Sequence, residues 1–382
     1  MTQFSRADAR VALGDAPRIA VIKLGALGDG VYAFPLVSAL KAFRPDARLT
    51  WIVEARLADL PRLHPGVDEV VTVDTRGWRA ALRQGRWRTA WTEFRAFRRA
   101  VAGRFDVAID AQGLLKSAAV TWLTRAPIRV GFAPGDCRER GNAWAMTHHA
   151  APVGAVHAVT KNLALPAALG VRVGAPTFEF RVPASDEAWA SACTQVGAPV
   201  VTLHPGAGHP GKRWPLERWL TLSERLSATG PRVVIVTGPD DRAAVAEAVK
   251  EMPSAPAVAA PPTVGALAAL LRRADVAVAG DTGPLHLAAA LGRRTVGVYG
   301  PSDPVTAAPF GDGRRVIKHA CVCGWRPGPS FNRRCAEGFA CMRAIQVDEV
   351  TKAVQQQLSA AQKIPPSPFN KGGQAGISGL GG

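Results

Sequence analysis

The chain has 382 residues, of which 47% are hydrophobic, so it can bury a large core and form two domains of ordinary size. The 47 Lys and Arg residues exceed the 30 Asp and Glu residues and give a net charge of +17, which favours an anionic partner: nucleic acid, a phosphorylated substrate or an acidic membrane surface. We expect neither a signal peptide, because residues 1–15 lack an apolar core, nor a membrane span, because prolines interrupt the longest charge-free windows. The six cysteines do not have the density of a small secreted disulfide scaffold. These features predict a cytosolic, cytoplasmic protein, either free or touching a membrane surface.

The first half of the chain alternates strand-like and helix-like patterns. A buried strand at residues 18–22 runs into a glycine-rich turn, KLGALGDG at residues 23–30, and then into a helix over residues 31–43. Further strands are predicted at residues 49–53, 69–73 and 107–110. A strand, a glycine-rich turn and a helix form the layout of a phosphate-binding loop, although the spacing differs from that of a dinucleotide fingerprint. The alternation predicts a doubly wound α/β sheet.

A dense basic and aromatic segment lies between residues 76 and 104, where arginines outnumber a single acid, Glu93. On a helical wheel, one face carries Trp87, Trp91, Phe94 and Val101, and an adjacent face carries Arg88, Arg95 and Arg99. Such a helix can lie on an anionic membrane surface or bind a phosphorylated acceptor. The alternative is a docked helix whose aromatic stripe is core and whose arginines are only solvated.

A second polar turn, DAQGLLKS at residues 110–117, also follows a strand and opens a helix. It places Gln112, Lys116 and Ser117 at the carboxyl end of the sheet, where open α/β sheets bind ligands. The proline-containing residues 173–185 are then predicted to connect two domains.

The pattern restarts after this connection. Strands are predicted at residues 199–204, 232–237, 274–279 and 295–299, with helices at residues 217–228 and 264–273. The first of these strands ends in a glycine-rich loop, PGAGHPGK at residues 205–212, and the third ends in GDTGPLH at residues 280–286. The doubled pattern predicts two Rossmann-like halves in series.

The GDTGPLH turn aims free backbone N–H groups and the positive end of a helix dipole at whatever lies above the sheet, which favours an anion. Thr282 can cap the helix, and Pro284 suits its first turn. The alternative is a turn whose Asp, Thr and His side chains serve only the helix.

The C-terminal region has a predicted helix at residues 347–358, expected to pack back across the domain boundary, and then a disordered tail rich in Pro, Gly and Ser. Before the helix come Cys321, Cys323, Cys335 and Cys341. Four thiolates can bind zinc or iron. Because the spacings are not those of CxxC pairs, free or redox-active thiols are the alternative.

Five motifs, taken in order, resemble glycosyltransferase family 9, the lipopolysaccharide heptosyltransferases. They are KLGALGD at residues 23–29, DAQGLLKS at 110–117, HPGA at 204–207 with KRWP at 212–215, GDTGPLH at 280–286 and YGPSDP at 299–304. The likeness runs from residue 18 to residue 358. The N-terminal half, including Glu54, looks most like the heptosyltransferase I branch of the family.

The resemblance implies a GT-B fold, in which two Rossmann-like domains face each other across a cleft. Residues 18–175 would form the acceptor-side domain and residues 185–345 the nucleotide-sugar-binding domain, with a flexible N-terminus at 1–17, a C-terminal helix packing back at 346–362 and a disordered tail at 363–382. It also implies an inverting transfer of heptose from ADP-L-glycero-D-manno-heptose to the Kdo/inner core of lipopolysaccharide. The acceptor would be Kdo-lipid A at the cytosolic face of the inner membrane, and neither a catalytic metal nor a cofactor is expected.

Inversion in one displacement needs a base for the acceptor hydroxyl and a group that stabilises the departing diphosphate. Asp29 matches the family's proposed catalytic aspartate, and its alternative role is to cap the helix that follows. Lys212 matches the family's phosphate-binding lysine, and its alternative is an ordinary surface lysine.

The resemblance also implies the binding residues. The donor side comprises Asp241, Gly280, Asp281, Thr282, Gly283 and His286. Asp281 is expected on sugar hydroxyls and Asp241 on the ribose, whereas His286 has a buried core histidine as its alternative. The anionic acceptor is expected to meet Lys23, Arg76, Arg79, Gln112 and Lys116.

Two other functions stay open. One is a family 9 transferase with another donor or with a protein acceptor, as in the autotransporter heptosyltransferases. The other is a basic nucleotide- or nucleic-acid-binding protein without catalysis, but no RRM, KH, zinc-finger or helix-turn-helix signature is present, so no nucleic-acid partner is expected.

Overall fold

The computed structural model describes residues 14–154, 156–194, 197–253, 255–311, 313–319 and 339–363. Within them lie two six-stranded sheets. Every strand pairing in these sheets is parallel. This architecture confirms the predicted pair of Rossmann-like domains.

The elements of the first domain are, in chain order, β1 (Arg18–Ile22), α1 (Leu27–Val31), α2 (Phe34–Phe43), β2 (Arg48–Glu54), α3 (Asp59–Arg62), β3 (Glu69–Val73), α4 (Thr75–Arg83), α5 (Trp87–Val101), β4 (Val107–Asp110), α6 (Leu115–Leu123), β5 (Ile128–Gly131), β6 (His148–His149) and α7 (Ala158–Ala167). The strands are ordered β3-β2-β1-β4-β5-β6.

The elements of the second domain are α8 (Ala184–Cys193), β7 (Val200–His204), α9 (Leu216–Ser227), β8 (Arg232–Val236), α10 (Arg242–Lys250), β9 (Ala257–Ala259), α11 (Val264–Arg273), β10 (Val276–Gly280), α12 (Gly283–Ala290), β11 (Arg294–Tyr299), α13 (Pro304–Ala307), β12 (Arg314–Lys318), α14 (Ala340–Ala344) and α15 (Val347–Lys363). The strands are ordered β12-β11-β10-β7-β8-β9.

Each sheet reverses its strand order at one point. The four glycine-rich or polar loops predicted from the sequence lie beside these two points. In the first sheet the chain runs outward from β1 to β3, then returns beside β1 as β4 and runs outward on the other side. The second sheet does the same at β7 and β10. Ligands bind at such switch points, outside the carboxyl ends of the strands. The glycine-rich turns after β1 and β7, and the polar turns after β4 and β10, therefore all lie where the fold builds a site.

The central strands are buried on both faces, which explains their unbroken apolar sequences. In β1, Ile19 and Val21 face the cluster that includes α2, while Ala20 and Ile22 face the cluster that includes α5 and α6. The helices α2 and α5 therefore cover opposite faces of the first sheet.

Strong local signals gave correct bounds. The predicted strands at 69–73 and 107–110 and the helix at 264–273 match β3, β4 and α11. The predicted helix over 31–43 is instead divided into α1 and α2. The short strands β5, β6, β9 and β12 were not predicted.

The C-terminal helix α15 packs back, but not as expected across the domain boundary. Its extensive contacts are with α9 and with strands β10, β11 and β12 of the second sheet. Val350 and Val354 lie in the second-domain core, so the helix covers a face of its own domain. Among the described helices, none is both long enough and apolar enough to cross a bilayer.

Candidate active site

The glycine-rich turn after β1 and the GDTGPLH turn after β10 are in direct contact. A Cβ at Gly28 would lie 2.5 Å from the imidazole Cδ2 of His286, and a Cβ at Gly283 would lie 2.6 Å from the side chain of Leu27. Only glycine permits this approach at both positions. The packing of α1 against α12 therefore brings the predicted base and the predicted donor motif into one site.

Asp29 lies in the first turn of α1, with its side chain 21% exposed. The Arg138 guanidinium holds it with one N···O distance of 3.2 Å to each carboxylate oxygen. Burial acts to raise the pKa of the carboxyl, but the charges of Lys23 and Arg138 act against it, and the pKa is below its usual value. Asp29 is therefore ionised at neutral pH, as a general base must be.

Lys23 is buried next to this carboxylate. Its ammonium donates a 2.6 Å hydrogen bond to the Ala111 carbonyl. Burial lowers its pKa to about 8, although the negative charge of Asp29 opposes the shift. In this structure the charge of Lys23 acts on Asp29, and the contact of Lys23 with the acceptor stays a prediction.

The DAQG turn is organised by Asp110, which is completely buried. One carboxylate oxygen accepts hydrogen bonds from the Gln112 and Gly113 N–H groups at 2.8 and 3.0 Å, and the other accepts one from Asn142 at 2.7 Å. The Gln112 side chain accepts a 3.2 Å bond from the Gly25 N–H. Gln112 thus ties the two turns of the first switch point together.

Lys116 points to the opposite edge of this turn, where its ammonium lies 3.3 Å from the buried carboxylate of Glu54. Glu54 also accepts hydrogen bonds from the backbone and hydroxyl of Thr75, at the start of α4. Arg76 follows on the same helix with an exposed side chain. Cationic groups therefore collect at the edge formed by β2 and α4.

Sequence reasoning missed two further cations of this region. Arg138 reaches Asp29 from the loop after β5, and no motif marks it. Arg56 follows β2, and the pKa of its guanidinium is lowered first by burial and then by the charge of Arg76. Arg79 is exposed one turn further along α4. A cluster of arginines close enough to repel one another is suited to an anionic ligand.

On the predicted donor side, the side chain of Asp281 is 9% exposed and accepts three hydrogen bonds from the protein. The Lys212 ammonium and the Ser302 hydroxyl lie 2.5 and 2.6 Å from Oδ2, and His286 Nε2 lies 3.1 Å from Oδ1. Burial acts to raise the pKa of Asp281, but the bonds and charges of His286 and Lys212 lower it overall. Lys212 is thus a partly buried, paired lysine and not an ordinary surface residue.

His286 continues this network into the first domain. Its Nδ1 lies 2.6 Å from the hydroxyl of Tyr32, and the Ala308 carbonyl lies 2.8 Å from the same hydroxyl. Tyr32 ends α1, and burial together with the charge of Asp281 raises the pKa of its phenol. His286 is therefore a buried histidine, which was the alternative to a donor-binding role. It also links the GDTGPLH turn to the helix of Asp29.

Asp241 lies at the start of α10, where its Oδ1 accepts a 2.9 Å hydrogen bond from the Gly238 N–H. Its Oδ2 is buried without a hydrogen-bond partner among the described residues. A Cβ at Gly206 would lie 2.8 Å from this oxygen, so the glycine-rich loop runs directly past it. Burial raises the pKa of Asp241.

Two details of the GDTGPLH turn complete the site. Thr282 occupies the N-cap position of α12, but its side chain makes no cap and donates to the Gly280 carbonyl at 3.3 Å. The predicted capping by Thr282 is wrong because its hydroxyl is used within the turn. A Cβ at Gly280 would lie 2.9 Å from the Lys212 carbonyl, so glycine lets the two donor-side loops approach.

Three of the four cysteines predicted to bind zinc or iron, Cys321, Cys323 and Cys335, lie outside the described residues. Cys341 is buried in α14. The described ranges contain no group of three potential metal ligands. A thiolate metal site therefore stays a prediction.

The chain is similar to known proteins over most of its length. Residues 94–338 match the family model "Glycosyltransferase family 9 (heptosyltransferase)". Lipopolysaccharide heptosyltransferase 1 of Pseudomonas aeruginosa is 31% identical over 306 residues, covering 77% of this chain and 81% of that protein. The protein of that name from Escherichia coli K12 is 29% identical over 310 residues, covering 79% and 93%.

A solved structure agrees with the fold across nearly the whole chain. The E. coli heptosyltransferase WaaC with ADP is 25% identical and has a TM-score of 0.72, with 89% of this chain and 99% of that chain covered. The two Rossmann-like domains thus form the GT-B fold. The chain belongs to glycosyltransferase family 9.

Proposed function

We propose that this protein is an inverting glycosyltransferase that moves heptose from ADP-L-glycero-D-manno-heptose to the Kdo/inner core of lipopolysaccharide. The relatives that carry the name lipopolysaccharide heptosyltransferase 1 support this reaction. The observation that supports it in this chain is the contact between α1 and α12, since the ionised carboxylate of Asp29 lies on α1 and the turn that we propose binds the diphosphate opens α12. A single displacement needs this combination.

In the proposed reaction, Asp29 removes the proton from the acceptor hydroxyl as the hydroxyl oxygen attacks the anomeric carbon of heptose. The bond from that carbon to the diphosphate oxygen breaks on the opposite face, so ADP leaves and the configuration inverts. The acceptor proton remains on Asp29. Because Arg138 lowers the pKa of Asp29, we expect the base to gain strength when the incoming acceptor draws Arg138 away.

The departing diphosphate would be stabilised by Lys212 and by the backbone N–H groups of the turn from Gly280, which ends β10, to Thr282 and Gly283 at the start of α12. Lys212 is held on Asp281 in this structure, and we propose that the diphosphate competes for it. Asp281 and His286 would then retain each other while the lysine follows the developing charge. These groups supply the positive charge that the reaction needs, so we propose transfer without a catalytic metal.

Asp241 would bind the ribose of the donor. Its buried Oδ2 has no hydrogen-bond partner in the described residues. A ribose hydroxyl could donate a hydrogen bond to this oxygen. The glycine at position 206 keeps this oxygen open to the adjacent loop.

The acceptor we propose is Kdo-lipid A, a polyanion, at the cytosolic face of the inner membrane. Its carboxylates and phosphates would meet Arg56, Arg76 and Arg79, with Lys116 beside them on Glu54. Lys23 and Gln112 lie deeper and would position the turn that carries the base.

Incubation of the purified protein with ADP-heptose and Kdo-lipid A, followed by mass spectrometry, tests the proposal. We expect a product heavier by one heptose, and thermal stabilisation by ADP-heptose that UDP-sugars do not give. Stabilisation by a UDP-sugar alone would contradict the assignment of ADP-heptose as the donor. Transfer to a protein and not to Kdo-lipid A would contradict the assignment of the acceptor.

A further inference from the structure

The first domain exposes tryptophans among arginines on the face formed by α5 and the end of α6. Trp87, Trp91 and Trp122 are 59%, 53% and 55% exposed. Soluble proteins rarely leave several side chains of this size in water on one face, and such patches mark interaction sites. We call this surface the Trp–Arg face; it comprises Trp87, Arg88, Trp91, Arg95, Arg98, Arg99 and Trp122.

The tryptophans are not needed for the core of the domain. Helix α5 buries Ala90, Phe97 and Val101, and the last two pack in the cluster beneath it. Trp87 and Trp91 lie on a different side of the helix. The predicted aromatic face is therefore divided: Val101 belongs to the core, whereas the two tryptophans do not.

Two of the three exposed rings, those of Trp87 and Trp91, contact neighbouring side chains. Trp91 stacks on Phe94 with ring centroids 5.6 Å apart, and Phe94 contacts Trp78 of α4 at 5.7 Å. The guanidinium of Arg88 lies 5.1 Å from the ring of Trp87. Rings that are already held by such contacts lose little conformational entropy when they enter a membrane interface or a partner surface.

Positive charge follows the ridge. Helical spacing places the exposed Arg95, Arg98 and Arg99 beside the tryptophans, and Glu93, the one acid of α5, lies on the other side of the helix. A groove of about 460 Å³ continues the face toward α6 and is lined by Phe94, Arg98, Trp122, Leu123, Arg125 and Arg129. Aromatic and cationic side chains without an acid therefore extend over two helices.

We propose that the Trp–Arg face docks this protein on a lipid bilayer that contains anionic headgroups. Tryptophan prefers the boundary between headgroups and acyl chains, and arginines beside it are attracted by the negative surface potential. RNA would also attract the arginines. The tryptophans, however, form a ridge on one outer helix face, as in helices that lie in a membrane interface.

The location of this face fits the proposed reaction. Helix α4, which packs on α5, begins at Thr75, and Thr75 is bonded to Glu54 at the edge that we assign to the acceptor. Docking through α5 would thus bring that edge to the surface where a lipid-linked sugar lies. This part of the inference rests on the proposed function; the lipid affinity of the face does not.

Vesicle flotation without any substrate tests the inference. We expect the full-length protein to bind phosphatidylcholine vesicles containing phosphatidylglycerol, to release them in high salt, and to ignore vesicles of phosphatidylcholine alone. Trp87→Ala/Trp91→Ala and Arg95→Glu/Arg99→Glu should each weaken binding about tenfold or more.

The matched controls lie away from the face. Phe43→Ala removes another exposed aromatic residue, from the helix on the opposite side of the sheet, and Lys250→Glu/Lys352→Glu makes the same change of charge on the second domain. Both should bind vesicles as the wild type does. Equal binding by test and control variants would overturn the docking face, and so would wild-type protein that binds RNA but no vesicle.

Transfer to an acceptor held in detergent micelles separates this inference from the proposed function. The tryptophan variant should keep that activity while it loses vesicle binding. Vesicle binding without any heptose transfer would refute the reaction and leave the docking face intact. Transfer by a wild-type protein that binds no vesicle would refute only the docking face.

Discussion

The hydroxyl of Tyr32 lies 2.6 Å from Nδ1 of His286 and joins the helix of the proposed base to the helix of the donor motif. Because His286 Nε2 is bonded to Asp281 and Asp281 to Lys212, a continuous polar chain runs between the domains. We therefore expect that these hydrogen bonds transmit occupancy of the proposed donor site to α1, because buried polar groups have few alternative partners.

Tyr32→Phe tests this connection. Removal of the hydroxyl should cost about 1–3 kcal/mol of stability, because buried polar partners lose a hydrogen bond. It should also reduce kcat for transfer, since α1 is no longer fixed to α12. Kinetics and thermal unfolding of the same preparations measure both effects.

The chain offers a matched control in its other tyrosine. Tyr299 is also buried and donates to the Ala307 carbonyl at 2.8 Å, within the second domain. Tyr299→Phe should lose similar stability and keep kcat. If both variants lost kcat equally, the Tyr32–His286 connection would have no specific role.

Gly28→Ala should disrupt the contact between the two turns. The added methyl group would lie 2.5 Å from the His286 ring, and relief of such overlap in a packed site costs about 1–3 kcal/mol. Gly174→Ala is the control, since a Cβ there meets nothing within 4 Å. Transfer activity and melting temperature should fall only in the first variant; an unaffected Gly28→Ala protein would show that the turns need not touch.

The pKa of Asp29 gives a prediction for low pH. Its folded value is below the usual 3.8, so its contribution to stability is present above that pH and is lost as the pH falls through the folded value. Arg138→Gln removes one of the charges that lower the pKa. The acid limb of kcat should then move to higher pH, and a pH–rate profile with an unmoved limb would exclude the Arg138 contact as its cause.

Lys23 gives a prediction of opposite sign at high pH. Its pKa is about 8 in the fold and 10.5 without burial, so between these values the unfolded chain binds more protons and stability should rise with pH. Lys23→Met removes this dependence. Denaturant titrations of both proteins over that range should give a steeper rise for the wild type, and parallel curves would contradict the assigned burial.

The sequence predicted the scaffold of the site because the relevant signals are local. A strand of apolar residues followed by glycine and a polar residue predicts its own turn, and the two switch points follow from the order of such units. Lys212, Asp281 and His286 stand in the loops that such units predict, and the family resemblance is what assigns them to the donor side.

Other parts depend on tertiary contacts that no local pattern reports. Arg138 reaches Asp29 across 109 residues of sequence, and Tyr32 reaches His286 across 254. The edge strand β12 is largely exposed or half-buried and lacks the apolar run by which the central strands were recognised. Thr282 occupied the predicted cap position, yet its hydroxyl bonded within the turn.

Heptose transfer by Asp29→Asn tests the central claim most directly, with Asp59→Asn as an exposed carboxylate control on α3. The donor is ADP-heptose and the acceptor Kdo-lipid A. We predict that Asp29→Asn stays folded, with a melting temperature lowered by the loss of the Arg138 ion pair, and binds ADP but loses about 10²–10⁴-fold in kcat, as expected when a general base is removed. Undiminished transfer by a folded Asp29→Asn protein would contradict the assignment of the base.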